Sequence, residues 1–147
     1  MVDVAHMYDK AAKHLASNDW AWTAATTTMY MALYTSSYTP SQAADETYSG
    51  ISGELTGTNG YSQGGVKMTL TDPTVVGSDP NAYTKLASSD VSWAVSSFTG
   101  VQTIVIYNNV GSKYLIGFIE YGTAKAAGGG TFTVQCPATG WFNLATP

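Results

Sequence analysis

The sequence predicts a mainly β chain: an antiparallel β-sandwich, jelly-roll-like, with a short N-terminal α-helix. Three observations carry this. "DVSWAVSSF" and "GTFTVQC" alternate apolar and polar residues with a period of two, the mark of a strand with one wet face. "VQTIVIYN" and "KYLIGFIEYG" are apolar at nearly every position, which suits strands covered on both sides. Short turns rich in Gly, Asn and Pro join these segments, as in sandwiches and barrels. At 147 residues the chain suits one domain with a real core. Residues 1–24 read as an N-terminal helix and linker, and 25–147 as one β-sandwich domain.

The first element is a helix from Val2 to Ser17. Val4, Met7, Ala11 and Leu15, with Tyr8 beside them, form its apolar stripe, and the Asp3 carboxylate is placed to cap its start. Trp20 and Trp22, two apart, share a face if the chain is extended. "TTTMYMALYTS" then sets Met29, Met31 and Leu33 against Tyr30, Ala32 and Tyr34 on a strand. Pro40 starts a turn, and "SQAADETY" suits one helical turn with Ser41 as its cap. "GELTG" reads as a short strand. "GVKMTLT" puts Val66, Met68 and Leu70 on one face. "DPTVVGSDPN" is a loop with Asp72 and Asp79 as turn residues, carrying an edge strand at Thr74 to Val76.

In the later strands Val91, Trp93 and Val95 point inward, and Phe132, Val134 and Cys136 share a face. "VQTIVIYN" carries no charge and would invite aggregation at an edge, so it is expected in the centre of a sheet. Glu120 sits among apolar neighbours and is expected on an exposed face or paired with a lysine such as Lys67. "GWFNLATP" closes the chain as a short strand or tail.

Composition narrows the function. Only 11% of residues are charged, and all six basic residues are lysines, for a net charge of −4. A chain without arginine or a basic patch is not expected to bind nucleic acid. A surface so poor in charge is expected to be covered in part by other protein. No apolar run reaches membrane-span length, and "MVDVAHMYDK" lacks the basic start and apolar stretch of a signal peptide. Synthesis in a cytoplasm and use without processing are expected. Cys136 is the single cysteine, so no intrachain disulfide forms; it reads as a small buried residue on a strand.

No catalytic, cofactor or metal site emerges. "GTNGYSQGG" (Gly57–Gly65) lacks the Gly-Lys-Ser/Thr ending and following helix of a phosphate loop. Asn59-Gly60 fits a tight turn and Gly64-Gly65 a bulge or second bend. Tyr61 near that loop's tip either packs on its own domain or anchors an interface. His6 and His14 lie too far apart to share a metal and suit solvated or capping roles. The carboxylates are scattered, without the opposed pair of a glycosidase. Trp93 reads as core, while Tyr34, Tyr38, Tyr48 and Tyr61 cluster in a region suited to a protein interface or a carbohydrate platform.

The order of segments resembles a family of small tailed-bacteriophage virion proteins. The resemblance is carried by "DWAWTAATTTMYMALYTSSYTPSQAADETYSGISGELTGTNGYSQGGVKMTL", "SSDVSWAVSSFTGVQTIVIYNN", "LIGFIEYGT" and "GGGTFTVQCPATGWFNL". It runs from about Asp19 onward and rests on order and spacing. "IEYG" stands where the family has "IDFG", and Cys136-Pro137 where it tends to a polar or aromatic pair. The resemblance implies a virion structural protein with no enzymatic activity: a capsid decoration or cement protein, a head-fibre protein, or a neck or tail component. Its partners would be the major capsid or neck and tail proteins, and a symmetric homo-oligomer is expected. The expected contact residues are Val4, Met7, Tyr8, Leu15, Trp20 and Trp22, with Tyr38 and Tyr61 second; a helix closing its own sandwich is the alternative for the N-terminal set. The competing function is a carbohydrate-binding module for host adsorption.

Overall fold

A computed structural model describes residues 4–78 and 80–145 of the chain, without the side chains of Val95 and Ser96. The expectations for Val2, Asp3, Asp79, the Val95 and Ser96 side chains, and the Thr146–Pro147 tail lie outside the described residues. The fold is mainly β and antiparallel, with one short α-helix and sandwich-like packing.

The strands in order are β1 (Ala5–Met7), β2 (Met29–Tyr34), β3 (Val66–Lys67), β4 (Thr74–Val76), β5 (Tyr83–Leu86) and β6 (Val91–Ser96). Then come β7 (Val101–Asn108), β8 (Leu115–Lys125), β9 (Gly130–Val134) and β10 (Phe142–Ala145). Helix α1 spans Asp9–Ala16, and a 3-10 turn spans Tyr48–Gly50. The principal sheet has the order β1-β8-β7-β2-β3. A second sheet runs β10-β5-β4, and β6 pairs with β9 as a two-stranded ribbon.

The uncharged strand β7 lies in the centre of the principal sheet, with β2 and β8 on its two sides. Register sorts the side chains into two faces. Met31 lies opposite Ile106, Leu33 opposite Ile104, and Ile104 opposite Ile119, which makes one face of Met, Leu and Ile. On the other face Tyr30 lies opposite Tyr107, Ala32 opposite Val105, and Val105 opposite Phe118. Among these residues only Tyr30 is more than 5% exposed, so burial on both sides explains why β7 has no polar stripe. The second sheet closes over the first face at Gly117. A Cβ there would lie 2.2 Å from Phe142 Cζ and 2.6 Å from the His6 carbonyl oxygen, so only glycine admits this approach.

Several expectations need correction. Helix α1 is shorter than Val2–Ser17, because Ala5–Met7 is a strand pairing with Gly117–Ile119 of β8. The 4, 7, 8, 11 spacing fits a helix, but the exposed edge of β8 offers backbone partners that local spacing does not register. Tyr8, with φ −67° and ψ 141°, turns the chain from strand into helix. Residues 41–45 do form a single turn, closed by the Ala44 and Asp45 N–H groups on the Ser41 carbonyl at 3.2 and 3.0 Å, and the Ser41 hydroxyl accepts from the Ala44 N–H at 3.3 Å. "GELTG" contributes a single bridge, Tyr34 to Glu54. Strand β5 went unanticipated. Cys136 lies beyond β9 and is only partly buried; that burial pushes its thiol up from the ordinary value. Glu120 is exposed, and Thr74–Val76 is the edge strand its flanking prolines and glycine suggested.

Candidate interaction surface

The glycine-rich loop is fastened to its own domain through Glu54. Asn59 and Gly60 take φ of 57° and 89°, the left-handed pair of a tight turn. Glu54 Oε1 accepts from the Tyr61 hydroxyl at 2.5 Å and the Gly64 N–H at 2.6 Å, and Oε2 accepts from the Tyr48 hydroxyl. The Tyr61 oxygen in turn accepts from the Leu33 N–H at 3.0 Å, beyond the end of two-residue β3. Tyr107 donates to the Gly64 carbonyl at 2.7 Å. At Gly65 (φ 74°) a Cβ would lie 1.9 Å from the Met31 carbonyl oxygen, so the loop rests directly on β2. Burial first, then the Glu54 carboxylate, pushes the Tyr61 phenol far up. The loop's amides and phenols therefore serve a carboxylate of the chain itself. Beside Glu54 lies a cleft of about 310 Å³ lined by Tyr34, Tyr48, Ser52 and Gln63. The Tyr48 ring already stacks on Tyr107 at 4.5 Å, and Lys113 Nζ sits 5.5 Å from its centroid.

His14, expected in a solvated or capping role, is instead buried as a second polar knot. Its side chain is 6% exposed. Nδ1 lies 2.7 Å from Asp19 Oδ2 and Nε2 lies 3.0 Å from Glu46 Oε1, while the ring stacks on Tyr114 at 3.5 Å. Both nitrogens are engaged, so the ring offers no nitrogen to a nucleophile. The helical spacing of Ala11 and His14 could have flagged an inward ring; the Glu46 partner lies 32 residues away and left no local sign. Among the described residues no group of three or more His, Cys, Asp or Glu is arranged to hold a metal ion.

Most of the expected contact residues turn out to be core. Tyr8, Trp20, Trp22, Tyr38 and Tyr61 are each 7% exposed or less. Trp20 and Trp22 donate to the Ala11 and Ala87 carbonyls at 3.1 and 2.9 Å, and Tyr8 and Tyr38 share a hydrogen bond of 2.7 Å. Burying these large rings and satisfying their polar tips closes the chain's own core, the alternative entertained for the N-terminal set. Met7 and Leu15 are partly buried against that core. Val4 alone of the set is open, at 60% exposure.

Val75 and Val110, which the sequence did not single out, complete the exposed large hydrophobic side chains among the described residues. Val4 also borders a groove of about 350 Å³ between β1 and β10, two edge strands of different sheets. Ala5, Met7, Trp141, Phe142 and Leu144 help line it, and no charged residue does. Edge β4 carries Val75 and is likewise uncharged. Such edges are open to pairing by another chain. No helix among the described residues is long and apolar enough to cross a membrane. No protein-family model, curated protein or solved structure matches this chain.

Proposed function

We propose that this chain is a structural protein of a tailed-bacteriophage virion, acting without catalysis as a capsid decoration or head-associated protein. The phage assignment rests on the resemblance in segment order. The observation that supports contact as the working chemistry is the uncharged edge at Val4, beside the β1–β10 groove, together with exposed Val75 on β4. An edge strand without charge or proline is poorly guarded against pairing. Many copies on one particle turn a modest contact into firm attachment. A neck or tail position uses the same surface.

The carbohydrate reading is weaker. All four tryptophans are 4% exposed or less, and the Tyr48 ring is engaged within the chain. A sugar platform needs open ring faces. Electron cryo-microscopy of virions from a phage encoding this chain tests the proposal. The expected result is density for the fold on the capsid, with β1 or β4 at the contact. Virions without the chain, or a glycan array on which it binds one sugar class, would overturn it.

A further inference from the structure

We propose that helix α1 is held by an acid-labile polar latch, which frees the helix as a flap while the principal sheet stays folded. This is independent of the assembly reading. The starting point is how little apolar surface the helix buries. Of its eight residues only Ala11 and His14 are buried, and one of those is the latch itself. An isolated helix of that length does not persist in water. Its ends are fixed: Tyr8 is buried and bonded to Tyr38, and Trp20 is buried with its ring N–H on the Ala11 carbonyl. Between those anchors the polar contacts decide whether the helix lies down.

Besides the Asp9 N–H on the Gln42 carbonyl at 3.0 Å, the side-chain contacts to the facing segment centre on one carboxylate. Glu46 Oε1 faces His14 Nε2 at 3.0 Å, and Glu46 Oε2 takes the Lys10 ammonium at 3.2 Å. Lys10 also donates to the Ala44 carbonyl at 2.9 Å. Asp19, on the other side of the His14 ring, belongs to the segment just after the helix; its own carbonyl accepts from Asn108 Nδ2 of β7 at 3.2 Å, so this contact survives when Glu46 is protonated. The titratable and charged groups around the ring are thus Lys10 and Lys13 of α1, Asp19, Glu46 of the 41–48 segment, and Tyr114 ahead of β8. Protonating Glu46 weakens its bonds to Lys10 and His14 together. The His14 hydrogen bond, then that of Lys10, holds the Glu46 carboxyl below its ordinary 4.5. A lowered carboxyl contributes stability that is complete above the ordinary value and is lost as pH falls through the folded-state value. The flap accordingly opens on the acid side of 4.5.

Hydrogen exchange, read as protection factors corrected for intrinsic rate, compares α1 amides with β7 amides from pH 7 to pH 3. The expected result is a fall of up to about tenfold per pH unit for α1 in the acid range, with β7 still protected. Glu46→Gln lowers α1 protection at pH 7 and flattens its acid dependence. Lys10→Met, at a partly exposed site, lowers α1 protection at pH 7 and makes the acid fall smaller, and serves where Glu46→Gln does not fold. Simultaneous loss of protection in α1 and β7, an α1 profile without acid dependence, or variants with the wild-type profile would each overturn the latch.

Discussion

The two faces of the principal sheet solve burial by different chemistry. One face presents Met31, Leu33, Ile104, Ile106 and Ile119 and is closed by the second sheet through Phe142. Its requirement is shape alone. The other presents Tyr30, Tyr34 and Tyr107 and is closed by irregular chain, with Tyr38 on Tyr34 and Tyr48 on Tyr107. Every buried phenol must place its hydroxyl, so the covering segments bring acceptors: Asp45 takes the Tyr38 hydroxyl, and Glu54 takes those of Tyr48 and Tyr61. The difference teaches that the apolar face is limited by packing and the phenolic face by hydrogen bonding. Loops lacking any strand pattern help cover this face because their polar atoms can be satisfied there.

The largest effect that sharpens this contrast is expected at Gly117. In Gly117→Val the new Cβ meets the Phe142 ring and the His6 backbone, and backbone cannot swing away. A loss of about 3 kcal/mol or more is expected, read as a fall in the urea midpoint. A midpoint like that of the natural protein would mean that the sheets do not close there. Next, Ile106→Ala leaves a cavity on the same face and should cost about 2–5 kcal/mol in the same measurement. A loss well under that range would show the face able to collapse, hence loosely packed.

At the Glu54 cluster that serves the phenolic face, a single oxygen should matter. Tyr61→Phe keeps the ring but leaves the Leu33 N–H without its acceptor and removes a donor from Glu54. The expected cost is about 1–3 kcal/mol. A neutral Tyr61→Phe would erase the distinction between the faces. The same chemistry gives a response to base. Burial is the leading cause that pushes Tyr8, Tyr34, Tyr38, Tyr48, Tyr61 and Tyr107 above their ordinary 10.0. The fold holds the neutral phenol, so this contribution is complete below the ordinary value and drains as pH rises above it. In a spectrophotometric titration these six should ionise late, together with loss of structure. Ionisation of these six near the ordinary value in a still-folded protein would contradict it.

The strands carrying both faces were legible in the sequence and the irregular chain that covers the phenolic one was not, for a physical reason. Period-two alternation and unbroken apolar runs report burial directly, so β2, β6, β7, β8 and β9 stand out. Even the three-residue β4 shows, because Asp-Pro and Gly flank "TVV". Strand β5 is masked by Lys85 and has a single buried residue, Leu86. Strand β1 hid inside a helical spacing because its identity depends on β8, more than a hundred residues on. Glu54 lies in a stretch without period, and its importance comes from Tyr48, Tyr61 and Gly64 folding back on it. The tryptophans and tyrosines read as contact residues show the same limit: composition says that aromatics will be buried, but not whether by this chain or another.

The smallest expected effect on stability is at Val4, which belongs to neither face. Its side chain is 60% exposed, just ahead of β1 and at the rim of the groove toward β10. Val4→Ser removes little buried surface, so its urea midpoint should correspond to a change within about 0.5 kcal/mol. If this uncharged edge is where the chain meets its particle, the same substitution should weaken co-sedimentation with virions stripped of the protein. On the proposed reading stability and attachment then separate, because the two faces of the sheet hold the fold and the contact is assigned to the rim outside them. A Val4→Ser variant that binds as well as the natural chain would move the contact to another edge, with Val75 on β4 next to be changed.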